Sequence, residues 1–178
     1  MGYKKASVAD IAEKAGVTKG MITYYFGSKK NLYIYLSQIS SETIMSAIEK
    51  HIDPNIDDYF EKFKMISKIK LDILEKYPNM NNFLVALYAE KDKEVEEVVN
   101  NFVNQGLENR QAYLLENVDK TKFKEEANLD FLSNLIRWTT KGMVEELVAT
   151  KQDSAKYTQF FWDYLDILKK TFYKEEYL

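Results

Sequence analysis

Apolar residues recur along the chain at three- and four-residue spacing, which predicts helices throughout. Val8, Ile11, Ala12 and Ala15 form the first stripe. Ser7 stands before it as an N-cap, and Asp10, three residues on, can reach back to the cap amide. Gly16 supplies the left-handed residue that ends this helix, and Val17 plugs the corner. Thr18 caps a second short helix whose inward positions are Ile22 and Phe26, with Met21 and Tyr25 beside them. Gly27 stops it, and Ser28 caps a third helix running from Lys29 to about Lys50. Asp53-Pro54-Asn55 breaks the chain there. Further helices are expected over about 57–77 and, after Pro78-Asn79, over a short segment holding Phe83, Leu84, Leu87 and Tyr88. Two more are expected over about 93–118 and from a cap at Asn128, and a last one starts at Ser154. The fold class is all-α. A helix, a glycine turn and a second helix in the first 36 residues have the pattern of a helix-turn-helix, whose second helix can enter a DNA major groove.

Charge sharpens this reading. Residues 1–36 carry Lys4, Lys5, Lys14, Lys19, Lys29 and Lys30 against Asp10 and Glu13, a net of +4. The chain as a whole is −3, so residues 37–178 carry −7. The basic end suits a polyanion and the acidic remainder does not. Lys19, Lys29 and Lys30 fall in the first turns of helices, where a cation is disfavoured by about 0.3–1 kcal/mol. A phosphate backbone across those helix starts would explain the placement, since amides and lysines would share one anion.

At these residues the chain resembles the tetracycline-repressor (TetR) family of bacterial transcriptional regulators. The family string is close to T-V-x-D-I-A-x-x-A-G-V-S-x-G-x-x-Y-x-Y-F-x-S-K-x-x-L. It runs here from Ser7 to Leu32, with Thr18 for the usual serine and Thr23 where a tyrosine is frequent. Tyr25-Phe26, Ser28-Lys29 and Leu32 match. The resemblance implies that Ser7 contacts phosphate, that Thr18, Lys19, Gly20, Thr23 and Tyr24 face the groove, and that Tyr25 and Lys29 grip the flanking backbone. It implies a DNA-binding domain over 1–36, and an effector-binding and dimerisation domain over 37–178. Family members carry a helix before the motif that ends in a pair like Gly2-Tyr3. That helix is not in this chain, so the apolar faces of Ile11, Ile22 and Phe26 are expected to be partly exposed.

The final helix carries Tyr157, Phe160, Phe161, Tyr164, Leu165, Leu168 and Phe172 on neighbouring faces, too rich a stripe for a helix that covers only its own domain. A two-fold bundle of the last two helices would bury it, so Phe160, Phe161, Tyr164 and Leu168 are assigned to a homodimer interface. Aromatic side chains in the middle helices, Phe63, Phe83, Tyr88, Phe102, Tyr113 and Trp138, can line an effector cavity or fill a core. The only arginines are Arg110 and Arg137. Arg110 joins the candidate ligand set, because an inward arginine would suit an anionic ligand; a surface position is the other reading. No arginine lies in residues 1–36, so the bidentate arginine–guanine contact is not available there. An A·T-leaning double-stranded operator follows as an expectation.

Composition narrows the remaining classes. There are no cysteines and one histidine, His51 beside a proline turn, so histidine or cysteine metal sites and thiol chemistry are not expected. Paired acids such as Glu96-Glu97 and Glu145-Glu146 diverge on a helix and read as solvated faces. No phosphate-cradling glycine loop is present. No cofactor, no membrane span, no catalysis and a cytoplasmic location are expected. The best reading is a ligand-responsive homodimeric repressor. The alternative is an all-α ligand-binding or interaction dimer that no longer reads DNA.

Overall fold

The computed structural model describes residues 2–150 and 154–178. Among them the chain is all-α: eight α-helices, three short 3-10 turns and no strand. The helices are α1 (Val8–Ala15), α2 (Lys19–Phe26), α3 (Lys29–His51), α4 (Tyr59–Lys76), α5 (Pro78–Tyr88), α6 (Glu96–Leu115), α7 (Leu129–Thr150) and α8 (Ser154–Phe172). The first 3-10 turn, Tyr3–Lys5, precedes α1.

Local chemistry sets the boundaries. Ser7 and Asp10 form a complete capping box at α1. Gly16 has φ 66° and ψ 28°, a left-handed conformation that costs glycine nothing, and its amide reaches the carbonyls of the last turn. Asp58 Oδ1 accepts from the amides of Phe60 and Glu61, each at 3.0 Å, and opens α4. Asn128 Oδ1 accepts from the Phe131 amide at 2.8 Å and opens α7. Pro78 both ends α4 and takes the first position of α5, where its missing N–H is no loss. The short helix expected around Phe83–Tyr88 is therefore a turn longer than the apolar pattern implied. The helix expected over 93–118 is shorter, Glu96–Leu115, with Asn117 at φ 56° just beyond it.

The helices form two compact units, Met1–Ala47 with Asp72–Gly106, and Ile48–Leu71 with Leu107–Leu178. The first unit holds two apolar clusters. Ala12, Ile22 and Leu32 are buried together, with Val8, Ile11, Val17 and Phe26 packed around them. Tyr3, Tyr33, Leu87, Val95 and Val99 form the other, joined by Phe83, Val98, Phe102 and Val103. Leu32 and Tyr33, adjacent on α3, each serve a different cluster. Ile22, expected to be partly exposed, is buried, because Ala12 is small enough to let α1 approach it and Leu32 closes the other side. Ile11 and Phe26 are half-buried, as expected.

The second unit is built on aromatics. Tyr173 is fully buried, and its hydroxyl accepts from the Tyr59 amide at 3.0 Å. Its ring meets Phe123 at 4.7 Å and Phe60 at 5.1 Å, both edge-on. A short antiparallel bridge between Phe123 and Tyr173 ties the chain just after α8 to the segment before α7. The amides of Lys124 and Lys174 donate to the carbonyls of Phe172 and Lys122 across it. Lys169 pairs with Asp58 at 3.2 Å, and Lys64 with Asp166 at 2.7 Å, binding α8 to α4 and the residue that caps it.

Candidate nucleic-acid interface

α2 sorts its residues by angle. Each step along a helix turns about 100°, so Tyr24 lies nearly opposite Ile22. Ile22 points into the α1–α3 cluster, and Tyr24 is 82% exposed. Tyr25 is 70% exposed, and the two rings meet edge-on at 5.2 Å. The face of α2 away from the core therefore shows two large aromatics to solvent, together with exposed Thr18, Lys19, Gly20, Met21 and Thr23. Tyr25 is more exposed than a partly core-packed residue would be.

The hydroxyls differ in what they have left to offer. Thr18 Oγ1 accepts from the Met21 amide at 3.2 Å, so its own proton remains available to an anion or base acceptor. Thr23 Oγ1 donates to the Lys19 carbonyl at 3.1 Å and keeps its lone pairs for a base amino group. Ser7 Oγ donates to Asp10 Oδ2 at 2.6 Å and accepts from the Asp10 amide at 3.1 Å. Its backbone amide also donates to Asp10 Oδ2. The expected phosphate contact by Ser7 thus competes with a closed capping box. These same bonds hold the Asp10 carboxyl below the ordinary aspartate value.

Lys29 is turned inward rather than outward. Its ammonium donates to the carbonyls of Tyr3 at 3.1 Å and Ala6 at 3.2 Å, and it lies 4.0 Å over the Tyr3 ring. Expected to grip DNA, it instead clamps the segment that leads into α1. Local spacing carries no sign of this, because the carbonyls it caps lie 26 and 23 positions away.

The candidate ligand residues are dispersed. In the first unit Phe83 and Phe102 are half-buried against the Tyr3–Tyr33 cluster, and Tyr88 is exposed while touching the Phe102 ring. Phe83 lines an apolar cavity of about 170 Å³ with Tyr3, Ile11, Leu32 and Tyr33. In the second unit Phe63 is buried, with the Arg110 guanidinium 5.3 Å over its ring. Tyr113 lines a more polar cavity of about 260 Å³ with Glu49, Lys62 and Glu116. Trp138, expected to line a pocket, is 55% exposed on α7, with Arg137 over its ring at 5.7 Å.

The candidate dimer residues separate in the same way. Phe160 is 56% exposed. Phe161 is half-buried against Phe63 at 5.9 Å, and the Tyr164 hydroxyl accepts from Thr139 at 3.1 Å. Leu168, placed on the interface by its spacing, is a buried core residue instead. It lies one turn beyond Leu165 on α8, and both are buried within this unit, as are Leu132 and Ile136 of α7. The exposed apolar residues are Phe160 and Ile167 on α8, and Phe131 and Trp138 on α7, each pair seven residues apart and so on one face.

Among the described residues no helix is long and apolar enough to cross a membrane, and no group of three or more His, Cys, Asp or Glu is placed to hold a metal ion.

Comparison with known proteins agrees with this geometry. The sequence model for bacterial regulatory proteins of the tetR family matches residues 1–36. No curated protein matches the chain. Among solved structures, the fatty acid degradation regulator FadR from Bacillus halodurans is similar at a TM-score of 0.69 and 20% identity, covering 92% of this chain and 88% of that one. FadR from Bacillus subtilis, solved in complex with stearoyl-CoA, gives 0.68 and 21%, covering 92% and 89%. The TetR-family regulator PfmR from Thermus thermophilus gives 0.64 and 17%, covering 94% and 90%. At these identities the structures establish the fold, and the family match rests on the amino-terminal segment. The amino-terminal segment, a capped helix-turn-helix, is thus similar to the DNA-binding segment of tetR-family regulators, and the chain shares the all-α fold of these solved structures.

Proposed function

We propose that the chain is a ligand-responsive repressor that works as a homodimer. Residues 1–36 read a double-stranded operator and residues 37–178 bind the effector and the second subunit. The observation that carries this reading is the bare outer face of α2, where Tyr24, Tyr25, Lys19 and Thr23 stand exposed around a helix anchored through Ile22 and Phe26. Each subunit places α2 in one of two major grooves about 34–36 Å apart. Thr18, Lys19, Gly20, Thr23 and Tyr24 meet base edges or flanking phosphates, with Tyr25 against the backbone. Ser7 and Lys29 support the module from within.

The exposed apolar residues of α7 and α8 support the dimer, since an unpaired face of this kind suits a two-fold helical bundle. The effector acts by preferring a subunit spacing that no longer fits the operator, a coupling of about 1–3 kcal/mol. The cavities of about 170 and 260 Å³ fall below the range of roughly 300–1,000 Å³ usual for ligand pockets. Because the Bacillus subtilis neighbour is in complex with stearoyl-CoA, a long-chain acyl-CoA is the first probe. We assign the protein no catalysis and a cytoplasmic place.

The experiment is selection of binding sites from random duplexes, followed by anisotropy titration of the winning operator with and without the probe. Saturable binding to a palindromic site, weakened by effector, supports the whole reading. Enrichment of no duplex would leave a dimeric interaction protein that does not read DNA.

A further inference from the structure

The five residues before the first helix cap carry two lysines and a well-defined structure. Tyr3–Lys5 form a 3-10 turn with Tyr3 buried and Lys4 and Lys5 exposed. Two side chains from distant parts of the sequence pin this arm. Glu90 Oε2 accepts from the Tyr3 amide at 2.6 Å, while Glu90 Oε1 accepts from the amides of Lys91 and Asp92 at 3.0 Å each. One carboxylate thus joins the arm to the turn that follows α5. From the other side, Lys29 caps the carbonyls of Tyr3 and Ala6. A charged bond at each end of one short segment fixes its direction far better than the segment's own 3-10 turn could.

Gly2 is part of the same arrangement. A Cβ built there would stand 2.7 Å from Glu90 Oε2, so the carboxylate, at the free end of a flexible side chain, would have to shift.

Among the described residues Lys4 and Lys5 make no ion pair. They follow each other directly, three and two positions before the Ser7 cap of α1, on a stretch of chain that is basic without an acid. We propose that this arm is a preset phosphate-gripping element, with Lys4 and Lys5 as the contacts and Glu90 as the residue that positions them. The inference rests on the DNA-binding reading above and adds to it two contact residues and one positioning residue that the helix-turn-helix itself does not include.

The sign of one effect separates positioning from simple charge. Glu90 is an acid near a surface that meets a polyanion, so removing it by charge alone should tighten DNA binding. If it positions the arm, removing it weakens binding instead. The test uses the full chain and its selected operator, with anisotropy titrations across a range of salt. Lys4→Ala/Lys5→Ala should lower the slope of log K against log salt by about 1.8 per subunit, since each lost phosphate contact removes about 0.9. Glu90→Ala should weaken binding about tenfold and lower the slope similarly. Glu90→Gln, whose amide oxygen can still accept from Tyr3 but whose NH2 then faces the Lys91 and Asp92 amides, should recover part of the loss. Gly2→Ala should weaken binding less than Glu90→Ala, since the flexible carboxylate can give way, and the double variant should be no worse than Glu90→Ala alone, because without the carboxylate the added methyl meets nothing.

Thermal unfolding of each variant separates these effects from a fold defect. An unchanged salt slope in the lysine variant would remove the contacts. Glu90→Ala binding as tightly as the parent, or more tightly, would remove the positioning role, as would strict additivity with Gly2→Ala. A parent chain that binds no duplex would overturn the underlying DNA reading, and the inference with it.

Discussion

Replacing Tyr24 with alanine should separate reading from folding. The residue is 82% exposed, so nothing in the subunit depends on its ring beyond an edge contact with Tyr25. Surface changes of this kind alter stability by no more than about 0.5 kcal/mol. Operator binding should respond very differently. A tyrosine side chain can bury about 150–250 Å², and covering half of what is exposed here would remove roughly 80 Å² from water; at about 25 cal/mol per Å² that is about 2 kcal/mol, or roughly thirtyfold in affinity for each half-site. Ile22→Ala is the paired control, only two positions away on the same helix. Ile22 is buried with Ala12 and Leu32, and truncating a core isoleucine costs about 2–5 kcal/mol of stability. The assay is thermal unfolding beside anisotropy on the selected operator. Tyr24→Ala should leave the melting point in place and lose most of the affinity, while Ile22→Ala should lose the fold first. A Tyr24→Ala protein that keeps full affinity would show that α2 does not present this face to DNA, and one that melts early would show that the ring is packed after all.

Other outcomes follow from the same geometry. Asp10 is held below its ordinary value by Ser7, so its contribution to α1 is complete above the unfolded aspartate range and is lost only as pH falls through the lower folded value. Titration of Asp10 by NMR should show the depressed midpoint in the parent and its return toward the ordinary value in Ser7→Ala. Tyr173→Phe removes the oxygen that accepts from the buried Tyr59 amide, which should cost about 1–3 kcal/mol in denaturant unfolding with little change in operator contacts. Burial also raises the Tyr59 phenol to about 12, so ultraviolet titration should find it ionising above the ordinary tyrosine range. Phe160→Glu places a charge on the exposed face of α8 and should shift sedimentation toward monomer, whereas Leu168→Ala should lower stability without that shift.

The helix-turn-helix was open to reading because its signals are local. Ser7 with Asp10, Gly16, and Thr18 each act within four residues, so caps and corner can be placed from the sequence. The division into helices followed from apolar spacing, and the errors fell at Pro78 and Asn117, where one backbone preference outweighed the apolar pattern. Side-chain direction was less accessible. Leu168 and Phe160 share a stripe that is rich on several faces, and only packing decides which of them is core. Lys29 looked like a DNA contact because its position in the first turn of α3 is local, while the carbonyls it caps are remote. Glu90 could not have been found at all, since it meets Tyr3 across 87 positions and no spacing rule spans that distance.

The central claim is that the basic amino-terminal module holds a DNA duplex through phosphates while α2 reads bases. The direct measurement is the affinity of the parent chain for its selected operator, followed from low to high salt beside a scrambled duplex. The claim requires log K to fall linearly with log salt, with a slope that counts several phosphates, and the operator to stay favoured over the scrambled sequence throughout. Affinity that ignores salt, or equal affinity for both duplexes, would contradict it.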